Sequence, residues 1–330
     1  MNLLDFPRPP EDNGMGIHWG NCSNRSFDRY WPLFESLKFK WVVLASESEE
    51  DIGYLARRFK EHGVMPIARP QRPINQLADF AHFTRVCNSP YVQIYNEPEN
   101  YREWEGHRPR GWWEFFKGKW ITQAHRVRSE GCYPGLQVTS PEDLKDMLTT
   151  LAFEEGDLVD SIWLSLHLYP HKGCPPTCTE HEDDILGFLR YAEICEDIIG
   201  FVPPIIVTEG GWTDGQGTPE DRAGWMLEVY EWFQYGRIDF FDKYGVGDIR
   251  LPDYLFAICP WILFGKMWHG FSWADNIAHQ PMAEAVKSMP SFVRPGEPQP
   301  PPQKNWLAVV KNIWAATKRL MSSLRDGEAG

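Results

Sequence analysis

The chain has 330 residues, of which 42% are hydrophobic and 24% are charged, and its formal net charge at pH 7 is −13. This composition is typical of a globular protein with ample material for a core. The negative charge argues against nucleic acid or an anionic membrane as the main partner, because both favour a basic surface. The length fits one α/β barrel, a fold of about 200 to over 400 residues.

Targeting and membrane insertion are not indicated by the sequence. The first ten residues, MNLLDFPRPP, lack the basic region and the apolar core of a secretory signal, and no run reaches the roughly 18 apolar residues of a membrane span. The seven cysteines are expected to be mostly reduced and buried, which favours a cytoplasmic protein. The 16 tryptophans suit sugar faces, but they suit a protein core equally well.

Eight short apolar runs recur along the chain, each followed by a turn and an amphipathic segment. Most of them are continuous rather than alternating, which is typical of parallel strands buried on both faces. In chain order these predicted strands are residues 14–19, 41–46, 63–68, 91–96, 135–140, 161–169, 204–209 and 256–264.

The segments between the strands carry helix signals. Ser140 and Thr218 each precede a proline and an acidic residue, as at a capped helix start, and residues 49–63 end on His and Gly. Eight strands alternating with helices predict a (β/α)8 TIM barrel over residues 1–290. An open doubly wound sheet is the alternative, but no predicted strand is followed by GxGxxG.

The end of the chain differs from the barrel. Residues 291–304 form a proline-rich linker, and residues 305–330 predict an amphipathic helix. We expect this helix to pack back on the barrel; contact with a membrane or protein partner is the alternative. Its apolar stripe consists of Trp306, Val310, Ile313, Trp314, Leu320 and Leu324.

Two predicted strands end on a glutamate. The fourth strand runs into Asn96 and Glu97 before Pro98, and the seventh ends at Glu209. Because the carboxyl ends of barrel strands meet on one face, both carboxylates are expected in one pocket. Glycoside cleavage uses two carboxyl groups, one on each side of the bond that is cut, so Glu97 and Glu209 are the candidate catalytic residues.

Further polar and aromatic residues follow other strand ends. His167 and Tyr169 share one side of the sixth strand, and Arg69 follows the third. Trp261 lies in the eighth strand and Trp212 follows the seventh, so we expect both indoles to contact a sugar, although packing in the core is common for tryptophan.

With these motifs the sequence resembles the clan A glycoside hydrolases, a group of retaining (β/α)8 enzymes. IYNEPEN on the fourth strand and IIVTEGGW on the seventh carry the resemblance, and His-x-Tyr on the sixth supports it. The resemblance implies cleavage of a β-linked oligo- or polysaccharide by double displacement, without a cofactor. A barrel that binds carbohydrate without cutting it is the alternative.

Carried over residue by residue, the resemblance implies that Glu97 is the general acid/base and Glu209 the nucleophile. Asn96 would then bind the sugar 2-hydroxyl, Tyr169 would hold the nucleophile, and Trp261 would form the floor of the sugar site. The same resemblance places His167 and Arg69 in the polar wall.

The loop after the sixth strand contains a separate group of possible metal ligands. Its sequence, HKGCPPTCTEH, places His171 and His181 outside Cys174 and Cys178. These four side chains could form a structural zinc site, the two cysteines could form a disulfide, or both thiols could stay free. None of these arrangements would be catalytic.

Overall fold

Eight parallel strands form one sheet in the computed structural model, which describes residues 2–171, 173–242 and 245–296. In sheet order the strands are β1 (Gly16–His18), β2 (Trp41–Ser46), β3 (Met65–Pro70), β4 (Tyr91–Ile94), β5 (Tyr133–Gln137), β6 (Trp163–Leu168), β7 (Ile205–Gly210) and β10 (Leu255–Ile258).

The sheet closes between its first and last strands. Met15 forms a parallel bridge with Ile258, and the N–H of Ile258 donates to the carbonyl of Gly14 over 3.1 Å. The N–H of His18 donates to the carbonyl of Pro260 over 2.9 Å. The predicted (β/α)8 barrel is therefore confirmed.

Helices follow the strands and cover the outside of the barrel. Their starts agree with the sequence signals: Ser140 and Thr218 each accept a hydrogen bond from the backbone N–H three residues ahead, over 3.1 Å. The helices are α1 (Asn24–Ser36), α2 (Glu49–Glu61), α3 (Phe80–Cys87), α4 (Trp112–Ser129), α5 (Pro141–Glu154), α6 (Gly156–Val159), α7 (Phe188–Ile199), α8 (Pro219–Tyr235) and α9 (Gln280–Ser288).

The barrel interior changes from apolar to polar along its axis. At the amino ends of the strands a buried cluster includes Trp41, Tyr91, Trp163 and Phe256, and Phe6 from the N-terminal segment packs into it. Further along, the fully buried side chains of Gln93, Ser165 and Thr208 replace the rings. The polar layer lies directly below the strand ends that carry the two glutamates.

Of the eight barrel strands, only β2 has its predicted limits, and the other seven differ by one to six residues at one end or both. β4 ends at Ile94 because Tyr95 adopts a left-handed φ of 61°, and β5 begins earlier than predicted, at Tyr133. The eighth strand of the sheet ends at Ile258. Beyond it the backbone still forms a hydrogen bond to the end of β7, because the N–H of Trp261 donates to the carbonyl of Gly210 over 3.0 Å.

The region between α8 and the last strand contains an antiparallel hairpin that the sequence analysis did not assign. Its strands are β8 (Arg237–Asp242) and β9 (Gly245–Arg250). The predicted linker is described as far as residue 296, and the predicted C-terminal helix, 305–330, lies outside the described residues. Among the helices of the described ranges, none combines the length and the apolar character that a membrane span requires.

Candidate active site

Glu97 lies on a turn that leaves the sheet at the end of β4. Tyr95 and Glu97 both have positive φ values, 61° and 31°, a conformation that costs free energy for residues other than glycine and that recurs at functional sites. Pro98 follows and cannot donate to a neighbouring strand. The sharp turn therefore fixes Glu97 at the end of β4 and directs the chain away from the sheet.

Glu209 is held inside β7 by two donors. Arg69 forms a buried ion pair with one carboxylate oxygen, and the side chains are only 3% and 8% exposed. The hydroxyl of Tyr169 donates to the other oxygen over 2.7 Å. Burial raises the pKa of Tyr169 well above its ordinary value, and the Glu209 charge adds to this, so Tyr169 stays protonated and both contacts stabilise a negative charge on Glu209.

The backbone behind Glu209 leaves no room for a side chain. A Cβ placed on Gly210 would lie 2.3 Å from the carbonyl oxygen of Leu168 on the neighbouring strand. Glycine therefore allows β6 and β7 to approach each other at the level of the site.

Glu97 has different partners and is more accessible, with 27% of its side chain exposed. One carboxylate oxygen lies 3.0 Å from Nδ1 of His167, and the other accepts a hydrogen bond from the amide of Asn100 over 3.0 Å. The hydrogen bond from His167 is the main reason that the pKa of Glu97 is lowered to about 2. In the free protein Glu97 is therefore a carboxylate at neutral pH.

His167 lies between the two glutamates. Its Nδ1 is 3.0 Å from Glu97 and 3.6 Å from Glu209, and the three side chains offer atoms that all lie within 4.8 Å of one another. Such a group could ligate a metal ion, but Arg69 already places a positive charge on Glu209, which opposes a second cation. The geometry fits better with two carboxylates that act on a molecule between them.

The amide of Asn96 is oriented by three neighbours. Its oxygen accepts hydrogen bonds from Gln93 and from Arg69, each over 3.2 Å, and its nitrogen donates to Glu103 over 3.1 Å. One N–H of the amide remains for a ligand. Burial raises the pKa of Glu103.

Glu103 was missed by the sequence analysis. It lies in a short 3-10 turn, Tyr101–Glu103, that folds back over the end of β4. A glutamate within YREWEGH carries no local signal of such a contact, so only the folded loop reveals it.

Trp261 forms one wall of the site. Its ring lies 4.1 Å from the ring of His18, centroid to centroid, and the Cζ atom of Arg69 is 5.5 Å from its centroid. Burial lowers the pKa of His18 well below its ordinary value, so the imidazole next to Trp261 is neutral. Trp261 therefore lies near Glu209 through Arg69, which pairs with that carboxylate.

Trp212 is the predicted sugar contact that the structure places elsewhere. Its side chain is buried, with only 2% exposed, and its ring packs against Trp225 at 5.3 Å. The indole N–H donates to the carbonyl of Cys174 over 2.9 Å. A ring enclosed in this way supports the loop after β6 and has no free face for a sugar, so the predicted role of Trp212 is corrected to packing.

The loop after β6 contains a disulfide between Cys174 and Cys178. The rings of His171 and His181 stack on each other with centroids 3.5 Å apart. The carboxylate of the buried Asp184 accepts hydrogen bonds from the backbone N–H groups of both histidines, over 3.3 and 2.9 Å. With both sulfurs in the disulfide, the structure has the second of the three predicted alternatives.

Comparisons with known proteins bear on the fold. No protein-family model and no curated protein sequence matches this chain. Among solved structures it is similar to a glycoside hydrolase 5 lichenase from Caldicellulosiruptor sp. F32 in complex with cellotetraose. That chain is 12% identical with a TM-score of 0.52, and the match covers 89% of this chain and 96% of the other.

A second similar structure is a family 39 β-xylosidase from Caulobacter crescentus. It is 14% identical with a TM-score of 0.51, and the match covers 86% of this chain and 72% of the other. Both neighbours are glycoside hydrolases, as the motifs led us to expect. At these identities the similarity establishes the barrel fold, and the activity has to be argued from the residues of the site.

Proposed function

We propose that the protein is a retaining O-glycoside hydrolase that acts on a β-linked oligo- or polysaccharide. The observation that carries this proposal is the placement of Glu97 and Glu209 at the ends of β4 and β7, with one oxygen of each within 4.8 Å. Retaining enzymes hold their carboxyl groups about 5–5.5 Å apart, and inverting enzymes about 6.5–9.5 Å. The short separation favours the retaining course.

In the first step Glu209 attacks the anomeric carbon and the bond to the leaving oxygen breaks. Arg69 and Tyr169 each bind one oxygen of Glu209 and so orient its carboxyl group for this attack. Glu97 donates a proton to the leaving oxygen, which departs as an alcohol, and a covalent glycosyl-enzyme remains.

Glu97 must gain a proton before this step, because it is ionised in the free protein. Its carboxylate is partly open to water, and a bound sugar would exclude that water. Loss of solvent favours the neutral form of a carboxyl group, so substrate binding raises the pKa of Glu97 and its carboxylate takes up a proton from solvent as the substrate binds.

In the second step Glu97 is a carboxylate again and acts as a base. It takes a proton from a water molecule, the oxygen of which attacks the anomeric carbon and releases Glu209. The hydrogen bonds from His167 and Asn100 stabilise the charged form that this step starts from.

The test is a panel of aryl glycosides and polysaccharides, followed by two variants of the carboxylates. Glu209→Ala should abolish turnover, and azide should restore it with a product of inverted configuration. Glu97→Ala should retain the first step on substrates with good leaving groups, and azide should then give a product of retained configuration. Glu61→Ala, a change of an exposed glutamate on α2, is the control and should leave activity unchanged.

Equal and mild losses from both variants would contradict the assignment. Binding of polysaccharide without cleavage of any member of the panel would instead support the carbohydrate-binding barrel. The Glu97→Ala and Glu209→Ala variants would then both still bind the polysaccharide, because binding alone does not need two carboxylates.

A further inference from the structure

A second indole lies next to Trp261 and has no part in the chemistry above. Trp268 is on the loop that follows β10, and its ring centroid is 5.5 Å from that of Trp261, with the ring planes at 84°. Its side chain is 47% exposed. Two indoles at a right angle, one of them open to solvent, form a corner at the edge of the site.

The loop fixes Trp268 through its backbone. The N–H of Trp268 donates to the carbonyl of Gly265 over 2.9 Å, and its carbonyl accepts from Ser272 over 3.1 Å. Asp275 holds the start of the loop by accepting from the N–H of Gly265 over 2.8 Å. A ring carried on an anchored backbone loses little conformational freedom when it binds a ligand, which favours a role in recognition.

The position of Trp268 in the barrel indicates which part of a substrate it would meet. β4 and β10 occupy the fourth and eighth places in the sheet, and strands four places apart in an eight-stranded barrel lie on opposite sides. Glu97 follows β4, and the two indoles follow β10. Trp268 is thus on the side of the site opposite the proposed acid.

The leaving group must depart next to Glu97, because that residue gives it a proton. The part of the substrate that stays on the enzyme then extends toward the side of Trp261 and Trp268. With Trp261 beside the reacting sugar, the exposed ring of Trp268 is placed for the next sugar in the chain. Sugar rings present C–H faces that pack on an aromatic ring.

We propose that Trp268 binds a second sugar on the side that is retained after bond cleavage. The substrate is then an oligo- or polysaccharide held by at least two sugars on that side. The enzyme would cut within chains or release disaccharides and longer products, rather than remove single sugars from the non-reducing end. This inference rests on the proposed function, because it needs the assignment of Glu97 as the acid.

The experiment compares 4-nitrophenyl glycosides of a monosaccharide and of the matching β-1,4 disaccharide, in the glucose, xylose and mannose series. We expect the wild-type protein to cleave the disaccharide substrate of its preferred series with a kcat/KM about tenfold higher, equal to about 1.4 kcal/mol. Trp268→Ala should remove most of this preference and leave the monosaccharide value within about twofold.

Two further variants separate stacking from a disturbed loop. Trp268→Phe keeps an aromatic face and should keep most of the preference for the disaccharide. Met267→Ala changes the neighbouring side chain, which is 90% exposed, and should change neither value. Equal loss on both substrates in Trp268→Ala, or no preference in the wild type, would overturn the subsite.

Failure of the proposed function gives a different result. If the wild-type protein cleaves no member of the panel, calorimetric titration with cellobiose, xylobiose and mannobiose tests the subsite alone. Weaker binding to Trp268→Ala than to the wild type would support it, and equal binding or no binding would overturn it.

Discussion

The ion pair between Arg69 and Glu209 allows a test of the site that does not depend on activity. The two side chains are 3% and 8% exposed, so neither charge is compensated by water when its partner is removed. Arg69→Met leaves the carboxylate buried without its counter-charge, and Glu209→Met does the same to the guanidinium. Each single change should lower the free energy of unfolding by about 3–5 kcal/mol.

The double variant should behave differently because it removes both charges. Tyr169 and Asn96 then each lose one hydrogen-bond partner, and an unsatisfied buried polar group costs about 1–3 kcal/mol. Two such groups cost the double variant about 2–6 kcal/mol, against about 6–10 kcal/mol for the sum of the single changes.

Urea unfolding followed by tryptophan fluorescence and by far-UV circular dichroism measures these free energies, and equal m-values check that all four proteins unfold in the same way. Losses that add to within about 0.5 kcal/mol would refute the reasoning. That result would mean that the two side chains do not form a coupled pair in the folded protein.

Three other predictions follow from individual contacts. The pKa of Glu97 falls from 4.5 to about 2 on folding, so its ionised form contributes about 3 kcal/mol to stability above pH 4.5. His167→Ala should lose most of this contribution at pH 7, and in urea unfolding the stability difference between the wild type and the variant should shrink as the pH falls from 4.5 toward 2. Tyr169→Phe removes a charge-assisted bond of about 1.5–3 kcal/mol to the proposed nucleophile, so kcat/KM should fall about 10- to 100-fold in steady-state assays, and an unchanged value would count against its role. Replacing Cys174 and Cys178 by serine opens a short loop and should lower the free energy of unfolding by about 2 kcal/mol; an identical urea midpoint would show that the disulfide does not contribute.

The barrel could be predicted because its signals are local. A buried parallel strand is recognisable from its own apolar run, and the start of a helix from a capping residue such as Ser140. The hairpin over residues 237–250 lacks this signal, because its strands, RIDFFD and GVGDIR, are not continuous apolar runs and form a separate two-stranded sheet.

Part of the candidate site could likewise be predicted from the sequence, and part could not. Glu97 and Glu209 could be paired from the sequence because the barrel brings the carboxyl ends of its strands to one face, so order along the chain is enough to place them together. Trp212 was assigned by the same rule, wrongly, because its ring turns into the core to bond Cys174. A strand end determines where a residue is, but not the direction of its side chain.

The sequence by itself determined the fold and the two strand ends that carry carboxylates, since strand and helix patterns arise from residues close together in the chain. Only the tertiary structure decided that Arg69 pairs with Glu209, that His167 lies between the glutamates and that Glu103 orients Asn96. These contacts join residues from different strands and loops, and no local pattern encodes them because they exist only once the barrel has closed.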